Sequence, residues 1–256
     1  MCGRFVITSA PAALRQLFGY PEQPNFPPRY NVAPTQPIPV VIVENGARHF
    51  RLMRWGLLPS WVKDPRDFAL LINARSETIL EKPAFRNAIR RRRALVPADG
   101  YYEWQATGGR KQPYFIHRVD GQPFGFAAIY ETWLGPNGEE LDTVAIVTAA
   151  ASEDLAELHG RVPVTIATGD FARWLDCAGD ETEAASSLMV APAVGEFTWY
   201  PVSARVNRAV EDDEQLLLPV AAEEGGEAPK SGKAKLKKAA RKASPTSTDD
   251  GQGSLF

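Results

Sequence analysis

Apolar positions along the chain alternate between two periods. In SAPAALRQLFGY, residues 9–20, Leu14, Leu17 and Phe18 share one face of a 3.6-residue repeat. A polar start, a proline in the first turn and Gly19 as a stop complete the helix signal. IPVVIV and HFRLMRW are strand-like runs, and the Asn-Gly pair of the ENGA between them predicts a hairpin. ALVPA, YYEW, YFIHRV, FGFAAIYETW and TVAIVTAA read as further strands. SEDLAELHG predicts a short helix, VPVTI a returning strand, and TGDFARWLDCA a helix with an Asp at its cap position. Strands outnumber helices and short turns join most of them. The pattern predicts an α+β domain: a strongly curved, largely antiparallel β-sheet, barrel-like, with peripheral helices.

The periodicity stops near Pro219. Residues 1–220 therefore read as one domain. Residues 221–256, rich in Lys, Ala, Gly and Ser, read as a disordered basic tail, because they carry too little apolar surface to offset the entropy of ordering. From Glu223 onward the tail takes seven of the 29 Lys/Arg and five of the 31 Asp/Glu, which leaves the body acidic by four charges. Overall charge therefore announces no nucleic-acid partner, and any DNA contact must come from local patches. No apolar run approaches the roughly 20 residues of a membrane span. The start reads as lacking a signal peptide, which together with two cysteines predicts a cytoplasmic protein with no disulfide framework. His49, His117 and His159 show no metal-ligand spacing, so neither metal nor other cofactor is expected.

One of those cysteines is the second residue. If Met1 is removed, Cys2 carries a free α-amine (unperturbed pKa roughly 7.7–8.0) beside a thiol (roughly 8.5). Such a 1,2-aminothiol closes on an aldehyde: the amine forms a Schiff base and the thiol completes a five-membered thiazolidine. An internal cysteine, whose nitrogen is an amide, cannot do this. Two other readings stand beside this one. Cys2 is an inert buried residue, or it is the amino-terminal nucleophile of an amide-cleaving hydrolase.

MCGRF, RYNVAPTQ, WGLLPSW, LINARSET, PADGYYEW, VTAAA, HGRVPV and WYPVS follow one another in order from Met1 to about Val220. Together they resemble the SRAP family, the SOS response-associated peptidases or abasic-site processing proteins. The resemblance implies capture of ring-opened abasic sites in single-stranded DNA as a covalent DNA–protein crosslink, which shields the lesion during replication and the damage response. It also implies Schiff-base chemistry of the lyase type and a proposed peptidase activity that exposes Cys2. By motif, Cys2 is the nucleophile, Asn73 orients the amine, Glu103 is the general base, and His159 acts on the sugar oxygen. Imine formation needs a proton removed from nitrogen and one given to the departing hydroxyl, jobs that a carboxylate and a histidine can divide. An amidohydrolase using the same nucleophile and a plain single-strand-binding module are the rival functions.

Arg4, Arg75 and Arg161 lie beside the candidate catalytic residues in sequence and suit phosphates. By the same resemblance Trp61 and Pro34 wedge against bases, and Thr148 lines the site. Val62 stands where some members have a second tryptophan, and extra residues precede LINAR, which points to weaker or rearranged stacking. Gly160 and Val162 also depart from the family pattern. The run RNAIRRRR, with Arg86 and Arg90–Arg93, is either a DNA track or a solvated helix end, and Cys177 reads as a buried residue of a helix. At the extreme end, Gln252, Leu255 and Phe256 resemble the peptide that docks into the bacterial sliding clamp. A monomer is expected.

Overall fold

The structure is a computed structural model that describes residues 2–107, 109–178 and 182–221. The expected tail, with Gln252, Leu255 and Phe256, lies outside the described residues. In chain order the elements are β1 (Phe5–Ile7), α1 (Pro11–Phe18), β2 (Arg29–Val32), β3 (Pro37–Glu44), β4 (Ala47–Trp55), β5 (Asn73–Arg75), α2 (Ala88–Arg91), β6 (Arg93–Ala98), β7 (Gly100–Thr107), β8 (Arg110–Arg118), β9 (Phe124–Leu134), β10 (Glu140–Ala150), β11 (Arg161–Pro163), β12 (Thr165–Ile166), α3 (Phe171–Leu175), α4 (Thr182–Ser186) and β13 (Phe197–Pro201).

The strands form two sheets. In the larger, β10, β4, β3, β6 and β9 pair in turn, and β9 pairs back onto β10, closing a five-stranded barrel. All these pairings are antiparallel except β10 with β4. Closure buries both the interior and much of the exterior, which is why β3 and β6 read as near-continuous apolar runs rather than alternating ones. The second sheet runs β13-β8-β7-β1-β2, all antiparallel. One of its faces joins the main core through Phe5 and Tyr101. The other packs Val6, Tyr102 and Phe115 against Val202, Val206 and Leu216. The expected α+β, barrel-like architecture is what the chain adopts. No helix among the described residues is long and apolar enough to cross a membrane.

Local chemistry explains the turns. Asn45 and Gly46 both have positive φ, 50° and 78°, as the tight β3–β4 hairpin requires. Gly100 is fixed by space: a Cβ there would lie 2.4 Å from the Phe115 ring and 2.8 Å from the Ile116 carbonyl, so a side chain would push β7 off β8. Asp99, one residue earlier, accepts from the Thr8 amide at 2.6 Å, from the Ser9 amide at 2.9 Å and from the Ser9 hydroxyl, tying the end of β1 to the β6–β7 corner. Ser9 therefore does not cap α1. Ala10 holds the cap position and makes no side-chain bond, while Gly19 ends the helix in the left-handed conformation as expected.

Three expectations are corrected downstream. SEDLAELHG forms one 3-10 turn, Leu155–Glu157, and no longer helix. VPVTI breaks at Val164 into β11, which pairs with β10, and β12, which pairs with β9, so the segment passes from one barrel strand to the next. The helix expected over TGDFARWLDCA is α3 and ends at Leu175, and Asp170 gives it no side-chain cap. Cys177 lies beyond that helix and is half-buried, with its sulfur accepting from the Arg93 amide at 3.5 Å.

Candidate active site and DNA interface

Cys2 sits just ahead of β1 with no exposed surface. Its Sγ approaches the Arg4 carbonyl at 3.8 Å. Burial pushes the thiol far above its ordinary value and the charge of Glu103 adds to the rise, against smaller opposing effects of the amino terminus and of that carbonyl contact. Asn73 opens β5, which lies parallel to β10, and its Nδ2 donates to the Cys2 carbonyl at 2.8 Å. Its Oδ1 is buried without a hydrogen-bond partner.

Glu103 comes from β7. Alternation along this strand sends Tyr102 into the outer cluster and leaves Tyr101 in the main core, so Tyr101 and Glu103 occupy the same face of the sheet. Glu103 is 3% exposed. It shares a polar pocket of about 420 Å³ with Trp104, Lys111, His159 and Asn207. Gln105 Nε2 donates to the Glu157 carbonyl at 2.8 Å, which holds the turn before His159 against β7. The Arg161 amide donates to His159 Nδ1 at 3.0 Å. The same ring nitrogen lies 3.2 Å from the Arg161 carbonyl, so the backbone of Arg161 fixes the orientation of the imidazole. The four candidate catalytic residues thus form two adjoining pairs, Asn73 on Cys2 and His159 beside Glu103, with Glu103 electrostatically coupled to Cys2. Among the described residues no cluster of His, Cys, Asp and Glu is suited to a metal.

The DNA candidates divide. Arg75 is exposed. It borders an open, largely apolar cleft of about 510 Å³ that runs from Asn73 to Trp61 and Lys82. Trp61 is 58% exposed and its ring meets Phe68 edge-on at 5.4 Å. Val62 points inward, packing with Leu58 and Trp133, and its carbonyl accepts from Trp133 Nε1 at 2.6 Å. Phe68, supplied by the longer loop before Asn73, is thus the aromatic neighbour of Trp61. Pro34 is half-buried at a separate turn where Thr35 has a φ of 73°. Arg4 is partly exposed, and its guanidinium donates to Asn31 Oδ1 at 2.9 Å and to the carbonyls of Val206 at 2.7 Å and Asn207 at 3.3 Å, which braces the chain around it. Thr148 is fully buried and touches Arg161. Gly160 faces open space, while Val162 is buried against β10.

The run RNAIRRRR also divides. Arg86, Arg90 and Arg91 are exposed, Arg92 pairs with Glu131 at 2.8 Å, and Arg93 is 1% exposed. A continuous five-arginine track does not exist, because β6 begins at Arg93 and turns that side chain inward.

Sequence reasoning missed Tyr101. Its ring is held edge-on by Phe126 at 6.0 Å and by Phe197 at 6.3 Å, and its hydroxyl is buried without a hydrogen-bond partner. A phenol in a run of aromatic residues reads only as core filling. Removing an unsatisfied buried hydroxyl while keeping the ring relieves a desolvation penalty. Tyr101→Phe is therefore expected to stabilise the fold by about 1 kcal/mol, read as a higher thermal melting midpoint; a lower midpoint would contradict the orphaned hydroxyl.

Comparison with known proteins identifies the family. The family described as SOS response associated peptidase (SRAP) matches residues 1–209. The chain is 34% identical over 221 residues to the abasic site processing protein YoaM of Bacillus subtilis, covering 85% of this chain and 97% of that one. It is 33% identical over 228 residues to YedK of Escherichia coli, also named an abasic site processing protein, covering 86% and 100%. The fold matches a crystal structure from Bacteroides thetaiotaomicron with a TM-score of 0.76 at 24% identity, covering 86% of this chain and all of that one. On the extent of these matches, the chain belongs to the SRAP family.

Proposed function

We propose that this chain captures abasic sites in single-stranded DNA through its amino-terminal cysteine. The relatives named as abasic site processing proteins support the substrate. The observation that carries the chemistry is the convergence on Cys2, with Asn73 Nδ2 on its carbonyl at 2.8 Å and the Glu103 carboxylate close enough to raise its thiol.

The reaction follows from these groups. Removal of Met1 frees the Cys2 α-amine. The amide of Asn73 fixes the Cys2 carbonyl and so the direction of the amine. His159 donates a proton to the sugar oxygen as the deoxyribose opens to its aldehyde. The amine attacks the aldehyde carbon to give a carbinolamine, and loss of one water leaves an imine. The sulfur then bonds to the same carbon, and its proton passes by way of Glu103 to the nitrogen. The sum is one ring formed and one water released. In this order the sulfur is needed only after the imine exists, and Glu103 is the group placed to take its proton.

The test uses the protein with Met1 removed, as intact mass verifies, and single-stranded DNA containing one abasic site. Parallel samples carry intact DNA and abasic DNA whose aldehyde has been reduced with borohydride. A retarded band on a denaturing gel, formed with the aldehyde alone, is the expected result. No band, or an equal band with reduced DNA, would refute aldehyde capture. Turnover of peptide or glutamine substrates in its place would select the hydrolase.

A further inference from the structure

The Arg161 guanidinium, which the sequence suggested for a DNA phosphate, is already engaged. Its Nη1 and Nη2 meet the two carboxylate oxygens of Glu77 at 2.9 and 3.0 Å, a two-pronged pairing. Its inner edge rests on Thr148, with Nη2 2.7 Å from the carbonyl and Nε 3.3 Å from Oγ1. The geometry is set by β10: Thr148 pairs with Arg75 of β5 on one side and with Pro163 of β11 on the other, which brings the residues after β5 beside the start of β11.

The two partners of Arg161 differ in one respect. Thr148 is fully buried, whereas the Glu77 side chain is 48% exposed. Thr148 therefore holds the guanidinium in place, and Glu77 is the partner that solvent or a ligand can replace. Exposed ion pairs are weak, so exchange is easy. A carboxylate offers a guanidinium fork the same planar pair of oxygens that a phosphate does. Arg75 also acts on Glu77, so the carboxylate lies within the field of both cations and is held below its usual range, first by its bond to Arg161.

We propose that Glu77 occupies the phosphate seat of Arg161 and so sets how weakly this protein holds undamaged single-stranded DNA. The inference rests on the proposed abasic-site function. A covalent trap gains nothing from tight reversible binding, since every intact stretch would compete with the lesion. A carboxylate that a phosphate must displace lowers the affinity for all sequences alike, and retention then depends on the covalent step at Cys2.

The test measures binding of intact, fluorescently labelled single-stranded DNA by anisotropy at several salt concentrations. The proteins are wild type, Glu77→Gln, Arg161→Gln and the double variant, each checked for an unchanged melting midpoint. Glu77→Ala serves if the glutamine variant melts early. Glu77→Gln is expected to bind several-fold more tightly, with the slope of log affinity against log salt steeper by about 0.7, the value of one added phosphate contact on a single strand. In the Arg161→Gln background the same change is expected to have no effect. Equal or weaker binding of Glu77→Gln would overturn the proposal. So would a gain that persists without Arg161, since that gain would come from charge at a distance. Covalent capture of abasic DNA by the wild type, run alongside, separates the two readings: its absence refutes the proposed function, while its presence with no tightening in Glu77→Gln refutes only the role of Glu77.

Discussion

Cys2→Ala is expected to abolish heat-stable attachment to abasic DNA, a loss on the order of 10³-fold or more, because no other group can both form an imine and close a ring on it. Cys2→Ser is the more informative change. It keeps the α-amine at the same place, beside Asn73 Nδ2, which bonds the backbone carbonyl and not the sulfur. It also keeps the Glu103–His159 pocket. The serine variant should therefore still form an imine, visible as a covalent band when borohydride is added during the reaction. Without reductant the imine hydrolyses, and the band should disappear on heating. The wild type should need no reductant. If both variants attach as stably as wild type, the nucleophile lies elsewhere and Cys2 is one more buried residue of the core. If neither gives an imine while both remain folded, the sulfur takes part before the amine and the proposed order is wrong.

How far these features could be read from the sequence depended on whether their cause was local. The β3–β4 hairpin was legible because Asn45-Gly46 specifies its own turn. Helix α1 was legible from its apolar face and Gly19, although its polar start gives no cap, because Ser9 bonds to Asp99, 90 positions away. The barrel-like curvature of the sheet was legible, but which strands close it was not. The parallel contacts of β10 with β4 and with the three-residue β5 join segments far apart, and no local signal marks them. The same division holds at the site. Short motifs singled out Cys2, Asn73, Glu103 and His159 as candidates, and the fold brings them to adjoining positions. Charge alone did not announce that Asn31 and two carbonyls also hold Arg4. Glu77 and Tyr101 gave no signal, because an acid after a strand reads as solvated and a tyrosine among aromatics reads as packing.

Arg93→Ala is expected to cost about 3–5 kcal/mol of stability, since it leaves buried polar groups unpaired and a cavity behind. The side chain is 1% exposed and has no carboxylate among its hydrogen-bond partners. Nε donates to the Trp174 carbonyl at 2.6 Å, Nη1 to Ile89 at 2.8 Å and to Arg90 at 3.4 Å, and Nη2 to Asp176. Ile89 and Arg90 belong to the last turn of α2, and Trp174 and Asp176 to the end of α3. One guanidinium therefore caps the carboxy-terminal ends of two short helices, where unpaired carbonyls and the helix dipole both favour a cation. It also fixes both helices to the first residue of β6, a strand of the barrel wall. A drop in melting midpoint of roughly 6–20 °C corresponds to that loss for a domain of this size. Arg90→Ala and Arg91→Ala, whose side chains are exposed, should change stability by less than about 0.5 kcal/mol. Arg93→Lys should recover part of the loss through its charge but not the fork that reaches both helices. A variant Arg93→Ala that melted like wild type but bound DNA more weakly would reverse the assignment and return this arginine to the DNA-facing surface.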